Sequence, residues 1–464
     1  MTKSEKVEYL KKGVPNFKNL ALTGEAKLQA EFKEAVRFTN KKMKELSVAI
    51  ALQDDEVIKK LVDILLRHKK PLFDSAVKVN SRLPPHRQST MMECLYIAKL
   101  MDFSEPLPEW VIIHLFEKKN GDYRKVHDHG IRHRTAQHAI ARVLGKFLKP
   151  RPFQYSRKGV HRAIYKAVEL IKCGHFYYAR LDVKEFFQNF SVSALMNELP
   201  LPFDVVANAV VGQHMKVCFG YGSNATKLYD SGLILPTEFK HLNQARLGIP
   251  TGSSTSSIIS EMTISRLDML DIEGVAVINY ADDFLVLATD LPLLAQGVRK
   301  LTKAVEKLQD GQFTLVQKEE GTIFTGATFL GHVIQFKFPQ PEPEDDTSEW
   351  HSKPLEVTVK PYEGSLEKIY HEVNKIEEKF QELLGLSCKE KSNEFLELVA
   401  IYYARVQGYR SAYKACTELE TRYITDIIIA LLKKFTEFGF TEQQVTAAIK
   451  PWMRHLNYPY MFKD

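Results

Sequence analysis

Two aspartates stand side by side between two apolar, β-prone stretches of this sequence. The string reads Tyr280-Ala281-Asp282-Asp283, preceded by VAVIN and followed by FLVLA. Adjacent carboxylates at a tight turn between strands are costly unless a cation neutralises them. A pair of magnesium ions would do so, and the turn would keep the carboxylates at the rim of the sheet. A charged hairpin turn without chemistry is the alternative, because so short a string also occurs by chance.

A third carboxylate, Asp182, follows another β-prone run much earlier in the chain. The run is FYYARL, and the aromatic Phe187 lies five positions after the aspartate. Phosphoryl transfer with two metal ions requires carboxylates from separate strands that bridge ions roughly 3.5–4 Å apart. One ion activates a 3′-hydroxyl, and the other steadies a triphosphate and its leaving pyrophosphate. Asp182 and Asp282 on neighbouring strands would supply these ligands; the alternative for Asp182 is a turn residue at a strand end.

The segment Gly248-Ile249-Pro250-Thr251-Gly252-Ser253 predicts a loop that leads into a helix. Gly and Pro favour the loop, the Ser/Thr run offers helix caps, and SSIISEM carries apolar residues for the helix. A loop of this kind lets the backbone approach a base or a sugar closely. An ordinary helix start without a ligand is the other interpretation.

The segment before Asp182 is strongly basic. Between Arg124 and Lys166 twelve basic residues face one acidic residue, Asp128, with Phe153 and Tyr155 interleaved. This pattern fits a nucleic-acid groove, and a solvated basic face is the alternative. The segment also contains four histidines, His127, His129, His133 and His138. They lack Cys or carboxylate partners at ligand spacing, so stacking, phosphate contact or a surface position is expected rather than a metal site.

The composition bounds the class of protein. With 464 residues, 44% of them hydrophobic, the chain is long enough for more than one packed unit and too apolar for general disorder. The net charge of +7 permits a polyanionic partner without requiring one. Five scattered cysteines without a CxxC pair suit a reducing cytoplasm. The polar start MTKSEKVEYL and the lack of an apolar run of bilayer length predict a cytoplasmic protein with no membrane partner.

The chain is expected to fall into four regions. Residues 1–120 form an N-terminal helical region, with apolar residues at helical spacing between Val57 and Leu65 and a break at Pro71. Residues 121–338 mix β-rich runs (HFYYARLDV, VAVINYADDFLVLA, ATFLGHVIQF) with helical ones. Residues 339–354 are acidic and Pro-rich, which is typical of a linker or an exposed loop. The rest of the chain is helical again.

The order and spacing of these motifs resemble those of reverse transcriptases, over roughly residues 121–338. The resemblance implies an α+β fold: right-hand polymerase fingers and palm with an antiparallel sheet, flanked by N-terminal and C-terminal α-helical regions. Asp182, Asp282 and Asp283 match the family's catalytic carboxylates. With the backbone of Val183 they would bind two Mg²⁺ ions, or Mn²⁺ in their place.

Further residues take roles from the same resemblance. Phe187 matches the aromatic that excludes a ribose 2′-hydroxyl, which implies a preference for dNTPs. Lys318 falls where the family has a lysine that protonates pyrophosphate. Phe329-Leu330-Gly331 resembles the hairpin that grips the primer, SRKGVHRAI (156–164) resembles the block before the first aspartate, and residues 355–464 would form a thumb and an extension. Substrate binding is implied for Arg132, Arg134, Pro250, Thr251 and Gly252.

The loop departs from the pattern of group II intron and retron enzymes. Those enzymes carry Pro-Gln-Gly where this chain has Pro250-Thr251-Gly252, and Asn where it has Glu261. This version resembles bacterial abortive-infection and defence-associated reverse transcriptases. That resemblance implies an RNA-directed DNA polymerase in antiviral defence that works with a structured non-coding RNA and makes a DNA product. Some enzymes of that group are oligomers, which leaves a homo-oligomer open.

Alternatives to templated copying stay open. Thr251 lacks the two-sided hydrogen-bonding amide beside the incoming nucleotide, so DNA synthesis without a template or from a protein primer is one alternative. The candidate primers are Tyr402, Tyr403, Tyr409 and Tyr413. Tyrosines at such spacing are more often half-buried packing residues. A palm that binds RNA without catalysis is the other alternative, although an inactive site has no use for unpaired carboxylates.

Overall fold

Both helices and β-sheets are present in the described part of the chain, which confirms the predicted α+β class. The computed structural model describes residues 24–83, 87–117, 123–219, 236–268, 271–337 and 356–364, together with His371, Glu378, Gly408, residues 412–416 and Thr441. Within these ranges no helix combines the length and the apolar character that crossing a membrane requires.

The elements are numbered here in chain order. The helices are α1 (Glu25–Leu52), α2 (Asp55–Arg67), α3 (Lys69–Asn80), α4 (Met91–Lys99), α5 (Ile131–Phe147), α6 (Val160–Lys172), α7 (Val192–Glu198), α8 (Pro236–Ala245), α9 (Ser254–Ile264) and α10 (Leu291–Glu306). The strands are β1 (Val111–Glu117), β2 (Tyr123–Asp128), β3 (Tyr177–Val183), β4 (Val217–Phe219), β5 (Val275–Tyr280), β6 (Asp283–Ala288), β7 (Leu315–Thr322), β8 (Ala327–Phe329), β9 (His332–Lys337) and β10 (Glu356–Pro361). A helical turn at Phe203–Val205 also runs into a π-helix at Val206–Val210.

The first of two compact units takes its described residues from Met1–Gln154, Val183–Met269 and Lys300–Val316. Helix α3 packs against α1, α4 and α5, and α5 also contacts α9. A small sheet has the strand order β2-β1-β4, with β2 antiparallel and β4 parallel to β1. Helix α4 begins at a capping box formed by Thr90 and Glu93, which satisfies N–H groups that the helix itself leaves unpaired.

Helix α2 illustrates how the predicted apolar spacing becomes part of a core. Its buried residues are Leu61, Val62, Leu65 and Leu66. Asp54 caps the helix by accepting a hydrogen bond from the Val57 N–H. The break between α2 and α3 lies at His68, so the break predicted at Pro71 is misplaced. Pro71 lies in the first turn of α3, where a missing N–H is tolerated. Within the predicted helical region Val111–Glu117 forms β1 instead, because its β-branched start fits a buried strand.

The second compact unit takes its described residues from Tyr155–Asp182, Leu270–Arg299 and Gln317–Asp464. It contains a four-stranded sheet of order β5-β6-β3-β7 and a three-stranded sheet of order β10-β9-β8. The last residue of β3 and the first two residues of β7 belong to the first unit. Strand β6 is antiparallel to both β5 and β3, and β9 is antiparallel to both β8 and β10. Helix α6 packs on β5, β6 and β10, and its Ile164 belongs to the same apolar cluster as Leu285.

The three β-prone runs of the sequence are strands in the structure. HFYYARLDV contains β3, VAVINYADDFLVLA forms the β5–β6 hairpin, and ATFLGHVIQF forms β8 and β9. Tyr280 pairs with Asp283, so the hairpin turn consists of Ala281 and Asp282, and the predicted tight turn is confirmed. The predicted linker 339–354 and most of the predicted helical region after it lie outside the described residues.

Candidate active site

Asp182 and Asp283 lie directly opposite each other on neighbouring antiparallel strands. The register that pairs β3 with β6 sets Asp182 against Asp283. Residues directly opposed in such a pair share one face of the sheet and have close Cβ atoms. Asp282 immediately precedes Asp283 in the β5–β6 turn. The fold therefore brings the three aspartates singled out in the sequence to one end of the same sheet.

The surroundings of Asp283 disfavour its charge. Burial first, and then the negative charge of Asp282 with a smaller effect of Asp182, raises the pKa of the Asp283 carboxyl to about 6. Arg180 and Lys318 act in the opposite direction. The Arg180 Nε atom lies 3.8 Å from Asp283 Oδ1. The carboxylates are thus close enough to repel one another, and additional positive charge is favoured beside them.

Lys318 of β7 lies beside the first aspartate. Its Nζ atom is 3.0 Å from Asp182 Oδ2, and 44% of its side chain is exposed. The sequence offered these two residues from separate motifs, and the fold brings them into contact. Because the Lys318 side chain is partly exposed, its ammonium group can reach a molecule that arrives from solvent while it stays paired with Asp182.

The donor chemistry of the cluster fits a hard divalent cation. Carboxylate oxygens are the ligands that Mg²⁺ prefers, and a bound cation would offset the burial and the repulsion that raise the pKa of Asp283. Asp182, Asp282 and Asp283 are the residues that would hold it, with Val183 next to Asp182 on β3. Among the described residues no three His, Cys, Asp or Glu side chains already converge as a metal-binding group. The fit therefore rests on ligand type and on charge.

The turn that carries Asp282 has an unusual backbone and defined supports. Ala281 has a φ of 56°, in the left-handed region that residues other than glycine seldom adopt. Its N–H donates a hydrogen bond of 2.7 Å to the Ser156 hydroxyl. The fully buried Asn279 donates from its carboxamide to the carbonyl oxygens of Ala281 and Asp283, at 2.9 and 3.3 Å. The direction of the carboxylates is therefore set by contacts outside the turn as well as by the strands.

Sequence reasoning missed two residues of the site, Arg180 and Ser156, and only Arg180 has a signal in the sequence that could have found it. Arg180 precedes Asp182 by two positions, so strand alternation alone puts both on one face. Its Nη1 atom donates to Thr328 Oγ1 at 3.1 Å, and Thr328 in turn donates to Glu319. Ser156 carries no comparable signal, because nothing in its neighbourhood along the chain indicates a contact with Ala281.

Phe187 and the Pro250–Gly252 loop come together in the first unit. The Phe187 carbonyl accepts a hydrogen bond of 2.9 Å from the Ile249 N–H, and a Cβ added at Gly248 would collide with that carbonyl. The Phe187 side chain is half-buried. Ser253 caps α9 as predicted, with its hydroxyl accepting from the Thr255 N–H. The loop is thus joined to the backbone that presents the aromatic ring.

The two arginines proposed for substrate binding lie at the start of α5, in the first unit. Arg132 is only 8% exposed. Arg134 donates from Nε to the His129 carbonyl at 2.7 Å and has its Nη2 atom 3.4 Å from Asp128 Oδ1. The Arg134 side chain therefore takes part in the structure of the helix start, the Arg132 side chain is buried there, and Arg134 is the more accessible of the two.

The start of α5 is built on a buried glutamate. Glu109 is 1% exposed and accepts hydrogen bonds from the Arg132 and His133 N–H groups, at 3.3 and 3.0 Å. Burial raises the pKa of its carboxyl to about 7. A Cβ added at Gly130 would overlap this carboxylate. The glycine therefore lets Glu109 cap the helix from a distant point in the chain.

The histidines of the basic segment are mostly internal. His127, His129 and His133 are 6%, 1% and 1% exposed, so the expectation of surface or phosphate contact is wrong for these three. The rings of His127 and His129 stack at 5.8 Å between centroids. Burial lowers the pKa of His133 to about 4 and that of His129 well below its usual value. Burial also lowers the pKa of His127, so the neutral ring is favoured in all three of these packing residues.

One candidate primer tyrosine falls within the described residues. Tyr413 is 8% exposed, and its ring centroid lies 4.8 Å from that of His332. Tyr402, Tyr403 and Tyr409 lie outside the described residues. Tyr413 is thus a packing residue, as the sequence-based alternative held.

Comparisons with known proteins do not extend these assignments. No protein-family model matches this chain, and no curated protein matches it. The fold and the site together define an α+β protein with a carboxylate cluster at the end of an antiparallel sheet.

Proposed function

We propose that this protein is a nucleic-acid polymerase of the reverse-transcriptase class, with right-hand fingers and palm architecture. The β5-β6-β3-β7 sheet is the palm in this proposal. The observation that carries it is the cross-strand pair of Asp182 and Asp283, with Asp282 in the adjoining turn. Two-metal phosphoryl transfer needs carboxylates on separate, rigidly paired strands, and hydrogen-bonded neighbours in one sheet supply them.

The reaction joins the 3′-oxygen of a primer to the α-phosphorus of a dNTP and breaks the bond from that phosphorus to pyrophosphate. Asp182, Asp282 and Asp283 are the residues that would hold divalent ions, and such ions would supply acidification of the 3′-hydroxyl and neutralisation of triphosphate charge. The sheet keeps the three carboxylates in fixed relative positions, which removes the entropy of assembling them. Lys318, 3.0 Å from Asp182, holds a proton that it can pass to the leaving pyrophosphate oxygen.

Selection of the deoxyribose sugar is proposed for Phe187. Its ring packs 5.8 Å from that of the buried Phe186, and its carbonyl is fixed by Ile249. A ring held in this way can exclude a 2′-hydroxyl by volume, without any polar contact. The Pro250–Gly252 loop, tied to the same backbone, supplies the surface for base or sugar.

Incorporation of labelled dNTPs with and without Mg²⁺ tests the proposal. Asp282→Ala with Asp283→Ala is expected to lower incorporation by about a thousandfold or more, because the metal ligands are lost. Asp271→Asn removes one exposed carboxylate from the same unit and serves as the matched control. Full activity in the double alanine variant, with correct folding shown by circular dichroism, would exclude the two-metal assignment.

We extend the proposal to a cellular role in bacterial antiviral defence, with a structured non-coding RNA as the partner. The support is the resemblance of the Thr251 loop to defence-associated enzymes, together with the basic composition of the chain. A polymerase that carries its own RNA would give incorporation sensitive to ribonuclease. Cells that express the wild-type chain are expected to resist phage infection, and cells that express the double alanine variant are not.

A further inference from the structure

We propose, on the basis of the polymerase function above, that Ser156 is a positioning residue that holds the Ala281–Asp282 turn in its metal-binding shape. Ser156 lies in the basic segment, whose composition fits nucleic-acid contact. Its hydroxyl, however, accepts the Ala281 N–H at 2.7 Å, one residue before Asp282. Through this bond it acts on the backbone of the turn.

The turn needs such a support because of its conformation. Ala281 has a φ of 56°, which an L-residue adopts only when its surroundings hold it there. Alanine has no side-chain group with which to stabilise this geometry locally, unlike Asn or Asp. The N–H of Ala281 lies between the ends of β5 and β6, outside their ladder. The Ser156 hydroxyl is therefore the acceptor that satisfies it.

A second contact fixes the carbonyl group of the same residue, Ala281. Asn279 donates from Nδ2 to the carbonyl oxygens of Ala281 and Asp283, at 2.9 and 3.3 Å. The turn is thus held by one side chain of its own strand and by one side chain from a distant segment. Removal of either leaves a strained residue with one restraint fewer, directly before two catalytic carboxylates.

Ser156 is itself held rigidly. The Tyr155 N–H donates to the Asn279 carbonyl at 2.9 Å, so the serine is anchored to the strand that enters the turn. The Tyr155 carbonyl accepts from the N–H groups of Lys158 and Gly159, at 2.8 and 3.0 Å. The Lys158 ammonium lies 4.5 Å from the centre of the Tyr155 ring. Helix α6 follows at once and packs on β5 and β6, so the hydroxyl is presented from a fixed scaffold.

The consequence is catalytic rather than only structural. Small displacements of metal ligands lower the rate strongly, because the reacting atoms must be aligned. A relaxed turn would redirect Asp282 relative to Asp283 while the strands stay paired. Loss of the Ser156 hydroxyl should therefore lower kcat and weaken metal binding, and leave KM for the dNTP largely unchanged.

Two variants of Ser156 and one matched control test this inference. Ser156→Ala removes the hydroxyl, and Ser156→Thr keeps it. Ser191→Ala is the control: the Ser191 hydroxyl also accepts a backbone N–H, from Ala194 at 3.3 Å, but it caps α7 in the other unit. Each protein is assayed for kcat, for KM, for Mn²⁺ affinity by calorimetry, and for deuterium uptake in peptides that span the β5–β6 turn.

Ser156→Ala is expected to lower kcat about tenfold, to weaken Mn²⁺ binding several-fold and to speed exchange in the turn peptide. Ser156→Thr should restore all three properties, and Ser191→Ala should change none of them. Unchanged exchange and unchanged Mn²⁺ affinity in Ser156→Ala would overturn the inference, as would an equal loss of kcat in the control.

The two proposals fail in different ways. A wild-type chain that incorporates no nucleotide, but whose turn exchange and Mn²⁺ affinity still depend on the Ser156 hydroxyl, would overturn the polymerase function and support the positioning role. A wild-type chain that polymerises, with Ser156→Ala equal to it in every measurement, would overturn the positioning role alone.

Discussion

At the scale of single residues, Asp283 shows how a charge can oppose folding and still be retained. The folded chain raises the pKa of its carboxyl from 3.8 to about 6. For an acid whose pKa is higher in the folded state, the stabilising contribution is present below about 3.8 and is lost as the pH rises through 6. Above that range the ionised carboxylate destabilises the fold. A residue with this effect is expected to serve binding or catalysis rather than stability.

Asp283→Asn should therefore stabilise the protein in the absence of metal. At pH 7.5 with a chelator, Tm is expected to rise by about 2 °C, because a neutral amide replaces a repelled carboxylate. The gain should disappear at pH 4, where the carboxyl is protonated. Added Mg²⁺ should raise the Tm of the wild-type chain and not that of the variant. Differential scanning fluorimetry across this pH range measures these shifts in Tm, with Asp271→Asn as the control. A Tm for Asp283→Asn at or below that of the wild-type chain at pH 7.5 would contradict the expectation.

The second prediction at this scale concerns the Phe187 ring and selection of the sugar. Phe187→Ala is expected to raise the ratio of kcat/KM for ribonucleotides over deoxyribonucleotides by about tenfold or more, because it removes the ring volume that we propose excludes the 2′-hydroxyl. Single-nucleotide incorporation kinetics measure the ratio. Phe203→Ala truncates a 66% exposed ring in the same unit and should leave sugar selection unchanged. An unchanged ratio in Phe187→Ala would show that this residue does not select the sugar.

At the scale of elements, helix α5 depends on a cap that comes from outside it. Glu109 accepts two N–H groups of the first turn, and Gly130 leaves room for its carboxylate. The carboxylate is buried and accepts two hydrogen bonds, so it has little freedom to move away from a larger side chain at position 130. The position before the helix is thus restricted to glycine by packing and not by its own φ of −76°.

Two glycine substitutions at the two ends of α5 should have opposite effects. Gly130→Ala is expected to lower the free energy of unfolding by about 2 kcal/mol, since a Cβ there overlaps Glu109. Gly145→Ala lies inside the helix with open space around the new Cβ, and should raise it by about 0.5–1 kcal/mol. Urea denaturation measures both. A stabilising effect of Gly130→Ala would contradict the capping role of Glu109.

The elements near the site were predictable from the sequence to different degrees. The β5–β6 hairpin and β3 follow from local composition, because β-prone runs and a polar turn pair act within a few residues. The motifs led us to expect Asp182 and Asp282 on neighbouring strands. The structure instead pairs Asp182 with Asp283 and leaves Asp282 in the adjoining turn, a register that composition alone does not give. The contact of Ser156 with Ala281 was out of reach, since it joins residues far apart in the chain. The burial of His129 was equally hidden, because a histidine in a basic segment carries no local sign of a core position.

At the scale of the whole molecule, the net charge of +7 and the proposed RNA partner lead to one prediction. Protein purified from its expression host should incorporate labelled dNTPs with Mg²⁺, and treatment with ribonuclease should abolish that incorporation. The physical reason is that a co-purified RNA would serve as the template or as a scaffold. Each dNTP is assayed separately before and after treatment, with heat-inactivated ribonuclease as the control.

Activity that survives ribonuclease would contradict the RNA partner and favour synthesis without a template. Sequencing of the DNA product then separates copying from untemplated addition. The burial of Tyr413 already makes it a poor primer, because its hydroxyl would have to leave a packed position to react.

The strand order of the second unit has a consequence for synthesis of the protein on the ribosome. Strand β3 carries Asp182, and its two neighbours in the sheet, β6 and β7, are both made later. The nascent chain must therefore carry an apolar strand with two open edges until more than one hundred further residues have emerged. Any prematurely terminated product that ends before β6 would lack the facing carboxylate and would expose that strand to aggregation.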